Sequence, residues 1–377
     1  MNIHIIGAGI GGLTTAIALQ KKGFNVTIFE TTPELLAVGA GIIIANNAMQ
    51  IYKKLGLEKR IQEKGIPIHE VHLTDGQLNV ISSANLKQYE EKYDTYNIAI
   101  KRAELHAILT EEVELENIKL NKRVAHIQSA ERSVNIRFTD GKETNADIII
   151  GADGIHSMTR SFLFGNCRLR DALQPCWRGI ATISLDDKNT ANEAWHFGKR
   201  FGFVAVNDTQ VYWYALVNKK EKEISLNKSE LMEQFNGFHP NIKNIIEKTT
   251  DDKIIRNDIF DLEPIQNWHK GRICLLGDAA HATTPNMGQG ACQAIEDAYV
   301  LAECLAKYPD YSKAFSQYET LRKPKAHFVV NTSWTFGKIA HWENKIACKF
   351  RNLSMKLMPA SSQQKQFEKL FDVDYGI

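Results

Sequence analysis

An α/β fold of two interleaved domains, closed by C-terminal helices, is what this sequence predicts. Three observations carry that expectation. The strand-like run "NIHII" (2–6) is followed by closely spaced glycines and then a helical pattern. Two further buried-strand runs, "ADIIIGADG" from residue 146 and "RICLLGD" from residue 272, each end in a turn that holds Gly and Asp. Between those two lies a stretch whose aromatics alternate with the period of β-strands. At 377 residues the chain exceeds one ordinary core, so the strand–turn units at both ends are expected to share a domain around the middle.

The opening unit reads element by element. Gly7, Gly9 and Gly12 stand in G-x-G-x-x-G register, and a helix is expected from about Gly11 to Lys22, stopped by Gly23. "FNVTIFE" (24–30) is the second strand and finishes in Glu30. This is a Rossmann-like dinucleotide fingerprint with its context intact. The glycines permit a tight turn and close backbone approach to a pyrophosphate, whose charge sits at the helix N-terminus. Glu30 is placed to accept hydrogen bonds from a ribose. The competing reading is glycine used only for helix–strand packing. The fingerprint does not separate NAD from FAD.

The later turns narrow the ligand. In "GADGIHSMTR" (151–160), Ser157 and Arg160 follow the turn at helical spacing. In "GDAAHATTPNMGQG" (277–290), a Gly-Asp turn leads through Pro285 and two more glycines, Gly288 and Gly290, into the helix "ACQAIEDAYVLAECLAKY". A dehydrogenase using NAD alone has no use for two more strand-terminal aspartates this far along the chain. A ligand that reaches from one crevice across to another domain does.

Composition excludes other classes. A formal net charge of +2 gives no electrostatic reason to expect nucleic acid. The basic clusters at 322–325 ("RKPK") and 219–222 ("KKEK") read as solvated surface. Six cysteines without CxxC or zinc spacing read as reduced thiols of a cytoplasmic protein. In "HEVH" (69–72) the two histidines would alternate faces of a strand, so no metal site is read there. No run approaches the roughly 20 apolar residues of a membrane span, and the glycine-spaced N-terminus argues against a secretory leader.

With these motifs in hand, the sequence resembles the group A flavoprotein monooxygenases, whose prototype is para-hydroxybenzoate hydroxylase. "GAGIGG", "GADGIHSMTR" and "GDAAHATTP" match the family's three motifs in order and spacing, over roughly residues 1–330, and "YETLRKP" (318–324) looks like its C-terminal helix segment. The resemblance implies FAD as cofactor. Gly7, Gly9, Gly11 and Gly12 would hold its pyrophosphate, and Glu30 the adenosine ribose. Gly41 lies in "GAGIIIANNAM", similar to the family loop near the flavin. Arg102 in "IKRAEL" would reach the phosphate and ribityl region, and the Val124 backbone would meet the adenine. Asp153 would orient backbone near FAD and the nicotinamide donor, and Asp278 would accept from a ribityl hydroxyl. Pro285, Gly288, Gly290 and Ala291 would bring a helix start to the flavin's pyrimidine edge, where reduced flavin carries negative charge. His281 reads as a structural turn histidine. Thr31 and Ala45 depart from residues common in the family, which blurs the subfamily.

The resemblance also implies the reaction. NADH or NADPH, docking transiently, reduces FAD; O2 then gives a flavin C4a-hydroperoxide that hydroxylates a small aromatic or heteroaromatic substrate. Alternatives are an epoxidase or a tetracycline-type antibiotic-modifying enzyme of the same fold. A non-catalytic relative, like the dissociation inhibitors of small GTPases, would have no need of the intact turns. The expected FAD-binding domain comprises 1–66, 101–165 and 268–330; the substrate domain 67–100 and 166–267; a helical segment 331–377.

In the middle, "CWRGIATISL", "EAWHFG", "RFGFVAV" and "VYWYALV" read as strands, the last two joined by a hairpin. Phe201 and Phe203 share one parity; Tyr212 and Tyr214 share a face with Trp213 opposite. Arg200, with Tyr212 nearby, is a candidate anchor for an acidic or carbonyl-bearing ring, weighed against a solvated strand end, and Arg178 is a weaker candidate. The tail reads as helices packed on the FAD domain or on a subunit interface, in preference to a membrane-surface helix. Monomer and homodimer both remain open.

Overall fold

The computed structural model describes residues 1–35, 39–219 and 227–377. Of the basic cluster at 219–222, all but Lys219 lies outside the described residues.

Continuous runs of isoleucine and leucine, with no polar alternation, produce strands buried on both faces. They form a six-stranded sheet in the order His269–Lys270, Ile273–Leu275, Ile148–Gly151, Asn2–Ile6, Asn25–Phe29, Ile118–Lys119. All its pairings are parallel except that of the first two strands. In register, Ile6 stands opposite Gly151 and Gly151 opposite Leu275. The three strands that the sequence marks with glycine turns are therefore neighbours, and their C-terminal ends lie level. Helices Ile10–Lys21 and Gly290–Lys307 cover this sheet side by side, in contact where a Cβ on Gly11 would stand 3.2 Å from that of Ala294.

A seven-stranded sheet forms the second layer system, in the order Ile255–Leu262, Leu169–Thr182, Gln210–Val217, Lys199–Asn207, Thr190–His196, Glu70–Asp75, Val80–Asn85. The four aromatic-rich runs are strands as expected. One face of the hairpin carries Phe201, Phe203 and Trp213, with Phe201 stacked on Trp213 at 5.5 Å, under the helices Lys228–Gln234 and Pro240–Glu247. The other carries Tyr212 and Tyr214 towards the first domain. Alternation thus divides aromatic packing from the face that meets the first domain.

Helix Tyr311–Ala340 runs unbroken through the expected boundary at 331, with Pro324 inside it. Helix Ala360–Phe371 packs back on helix Asn46–Lys54, and Phe371 meets Tyr89 edge-on. The cluster 322–325 is a correction. Arg322 is fully buried, and Lys325 donates to the buried carboxylate of Glu296 at 3.0 Å. Their partners sit some 25 residues earlier, on a helix packed alongside, so these charges are paired in the core and not solvated. All six cysteines are free.

Buried and half-buried histidines make stability depend on pH. His4 lies edge-on to Phe29 with no partner at Nδ1, and burial, partly offset by Asp147, lowers its pKa from 6.5 to about 4. His327 is likewise lowered by burial to about 4. Unfolded imidazoles protonate first, so this contribution is complete above pH 6.5 and is lost as pH falls towards 4. The denaturation midpoint should decline through that window, less steeply for His4→Phe. Equal slopes for the two proteins would remove His4 from the account.

Candidate active site

Strand ends set the site. After Asn2–Ile6 the chain turns at Gly7, whose φ is 106° and where a Cβ would lie 2.5 Å from the Ala152 carbonyl oxygen. Gly12 has no room either: a Cβ there would lie 2.0 Å from the Gly7 carbonyl oxygen. Gly11 is hemmed in by Leu276 and Ala294. Gly9 differs, because its missing Cβ would meet nothing within 4 Å. Three of the four candidate glycines are thus required by packing of the turn, and Gly9 faces the open cleft. Glu30 accepts from the Ala8 N–H at 2.8 Å and from the Thr32 N–H at 2.9 Å, so its carboxylate lies across the mouth of this turn. Val124 begins a strand whose approach, Asn121 and Lys122, is tied by backbone hydrogen bonds to Thr32 and Glu30.

The second turn is held by Asp153. Its carboxylate accepts from the Thr159 N–H at 2.9 Å, the Thr159 hydroxyl at 3.0 Å and the Ser157 hydroxyl at 2.5 Å, while Ser157 caps helix Met158–Phe164. Asp153 therefore fixes the turn's shape. Arg160 bridges to the third turn, donating to the Ala279 carbonyl at 3.0 Å and to that of Ile155 at 2.6 Å. Asp278 is open to solvent yet flanked by protein, as a group on a cleft floor is. Burial pushes its carboxyl up, against the pull of His281, Arg102 and Arg160.

Opposite stands the second domain. Tyr212 packs so closely on Gly41 that a Cβ there would lie 2.4 Å from its ring, so Gly41 makes room for a tyrosine. Arg102 lies under Gly39, its pKa lowered by burial and by Arg178 and raised by Asp278 and Tyr212. Arg102 thus stands where Asp278, Arg178 and Tyr212 all reach it electrostatically, between the two sheets' turns. Burial holds Tyr212 up at about 12, so its hydroxyl is a hydrogen-bond donor at neutral pH and no base.

Arg200 is not a solvated strand end, and its guanidinium is engaged within the protein. Only 1% exposed, it donates through Nε to His341 at 2.9 Å, through Nη1 to Glu193 at 3.3 Å and through Nη2 to Asn286 at 2.5 Å. Burial demands these partners. It ties the sheet to the short turn Pro285–Met287 that leads into helix Gly290–Lys307.

The structure also supplies an anion cradle. Helices Ile10–Lys21 and Gly290–Lys307 begin without a side-chain cap and without an acidic residue in their first turns, leaving N–H groups free at positive ends. No Cβ would meet anything at Gly9, Gly154 or Gly288, where Gly288 takes φ 62°. Uncapped helix starts, open glycines, and an arginine and an aspartate between them suit a long ligand with a pyrophosphate in its middle and a ring at one end. FAD fits that cradle.

The FAD binding domain family matches residues 1–333. This chain belongs to that family. Among similar curated family members, aurachin C monooxygenase/isomerase of Stigmatella aurantiaca is 36% identical, covering 95% of this chain and 94% of the relative. The 2-heptyl-3-hydroxy-4(1H)-quinolone synthase of Pseudomonas aeruginosa is 30% identical over 98% of each chain. Of solved structures, Klebsiella pneumoniae HpxO complexed with FAD and uric acid superposes with a TM-score of 0.91 at 25% identity, covering 98% of this chain and 96% of that one. As a member of this family, the chain is an FAD-dependent monooxygenase, as the three motifs imply.

Sequence reasoning did not find the buried network behind the third turn. His281 Nε2 lies 2.5 Å from Asp297, which also receives Arg322 Nε at 2.7 Å, while Glu296 receives Arg322 Nη1 at 2.7 Å. The network ends at Gln289, whose side-chain oxygen accepts from Asn47 and Gln293 at the start of the helix. The one signal available was "ED" inside an otherwise apolar helix.

Proposed function

We propose that the enzyme hydroxylates a planar nitrogen heteroaromatic ring bearing an oxo or hydroxy group, with NADH or NADPH as electron donor. The reading rests chiefly on the place where Tyr212 and Arg178 of the sheet reach Arg102 electrostatically, as Asp278 does. A neutral hydroxyl and a guanidinium there suit a ring oxygen that carries partial or full negative charge. The relatives named for quinolone and uric acid chemistry support the same class.

Gly9, the start of helix Ile10–Lys21 and Glu30 would hold the pyrophosphate and ribose of FAD, and Arg102 and Asp278 its middle. When bound, FAD supplies the electron transfer and oxygen-transfer chemistry. The chain's own part is positional. The uncapped N–H groups at Gly290 and Ala291 would stabilise negative charge on the reduced cofactor. Tyr212 donates to the substrate oxygen, and Arg178 holds its charge. The sheet, packed over the cleft at Gly41, excludes water. Arg200 acts at one remove, holding Asn286 in the turn beneath.

The test is oxygen uptake and NADH or NADPH oxidation by the FAD-loaded enzyme against 4-quinolones, hydroxypyridines and purines, with products analysed by mass. Substrate-stimulated oxidation with gain of one oxygen atom supports the reading. Stimulated oxidation that yields only hydrogen peroxide with every ring class overturns it. Tyr212→Phe should raise KM about tenfold, the size of one hydrogen bond to a charged group, with a smaller change in kcat. Unchanged kinetics would remove Tyr212 from substrate contact.

A further inference from the structure

Helix Lys345–Lys356 is turned the wrong way for a helix of a water-soluble surface. Its inward face carries Cys348 and Arg351, which are 2% and 3% exposed. The Arg351 guanidinium lies 4.8 Å over the Trp195 ring and donates to the Ala340 carbonyl at 2.8 Å. The opposite face carries Ile346, Phe350, Leu353 and Leu357, exposed by 80, 68, 54 and 70%. Their spacing of four, three and four residues stacks them in one stripe. Surface helices ordinarily bury such a stripe and show water their polar side.

Charge accompanies the stripe. Residues 344–358 contain no Asp or Glu, while Lys345, Lys349 and Lys356 run along one edge of it, all exposed. None of the three forms an ion pair among the described residues. Lys345 also lies 5.8 Å over the Phe197 ring. An outward apolar stripe with a cationic edge free of ion pairs is the pattern of a helix that lies in the headgroup region of a bilayer, its stem carbons and ammonium groups reaching anionic lipid.

We propose that helix Lys345–Lys356 docks this enzyme on an anionic lipid surface. A second copy is a poorer occupant. Four side chains on one short helix fall short of the roughly 800 Å² per partner of a standard protein interface. The lysine edge would also find no carboxylate within the same helix of a partner copy. A bilayer requires no such match. Docking here is lateral, because among the described residues no helix is long and apolar enough to cross a membrane.

Co-sedimentation of the full FAD-loaded chain with vesicles of phosphatidylcholine, with and without phosphatidylglycerol, tests this. The protein should pellet with the phosphatidylglycerol vesicles and be released by salt. The triple change Lys345→Glu, Lys349→Glu, Lys356→Glu should weaken binding on the order of a hundredfold, whereas Arg at the same positions should retain it. Phe350→Asp should also abolish binding, with flavin content and melting midpoint as checks that both variants fold. Equal binding to both vesicle types, or none to either, overturns the proposal. So does a self-associated species in sedimentation velocity that Phe350→Asp dissolves while vesicle binding is absent.

Discussion

Replacing Arg322 with Ala should cost the folded protein about 3–5 kcal/mol, a large part of the roughly 5–15 kcal/mol that holds a typical domain together. The guanidinium and both carboxylates it serves, Glu296 and Asp297, are fully buried. Its five donors reach Asp297, Glu296, the Gln293 carbonyl and side-chain oxygens, and the Tyr375 hydroxyl. Burial alone would raise the Asp297 pKa, but His281 and Arg322 hold it down at about 2. Without Arg322, two carboxylates would share one interior with Lys325 as counter-charge and His281 as a hydrogen-bond partner. Arg322→Lys should fall between, since an ammonium cannot fork to both acids. Because helix Gly290–Lys307 begins at Gln289, which the same network holds, the folded fraction should also retain less FAD. Denaturant midpoints and flavin content of the three proteins decide the matter. A midpoint for Arg322→Ala within the shift caused by a surface Lys→Ala change would show that these charges are not sharing a core.

The contrast between what was readable in the residues and what was not follows from range. The βαβ unit at the start was legible because strand, glycine turn, helix and terminal acid all lie within 30 residues, and each has a local cause. The convergence of Gly9, Asp153 and Asp278 was legible only through the likeness of three turns, and strand register shows why it holds: Ile6, Gly151 and Leu275 stand in line. Arg200 was harder. Nothing near residue 200 announces Asn286 and His341, which come from a turn and a helix end far along the chain. The tail shows a third limit. The spacing of Ile346, Phe350, Leu353 and Leu357 declares a stripe, but which way a stripe faces is set by what packs behind it. Here Trp195 takes the polar side by stacking on Arg351.

Gly12→Ala and Gly9→Ala should separate the two jobs that glycine performs in the first turn. At Gly12 a new Cβ would sit 2.0 Å from the Gly7 carbonyl oxygen, a backbone atom that cannot swing aside. Gly7 is itself pressed against Ala152 and held at φ 106°, so the strain would pass into the neighbouring strand end. The cost should reach or exceed about 3 kcal/mol, the upper part of the overpacking range, and appear as a lower denaturation midpoint even without cofactor. At Gly9 the backbone has φ −72° and ψ 179°, extended geometry that alanine adopts freely, and nothing lies within 4 Å of the added carbon. The cofactor-free midpoint should therefore stay where it is. What should change is affinity for FAD, because the methyl group would stand where the pyrophosphate approaches the helix start. Losing one or two charge-assisted hydrogen bonds corresponds to a roughly 10- to 100-fold weaker Kd, measurable by flavin fluorescence on titration. Parent-like FAD binding by Gly9→Ala would move the pyrophosphate away from this turn, and a parent-like midpoint for Gly12→Ala would refute the turn's packing.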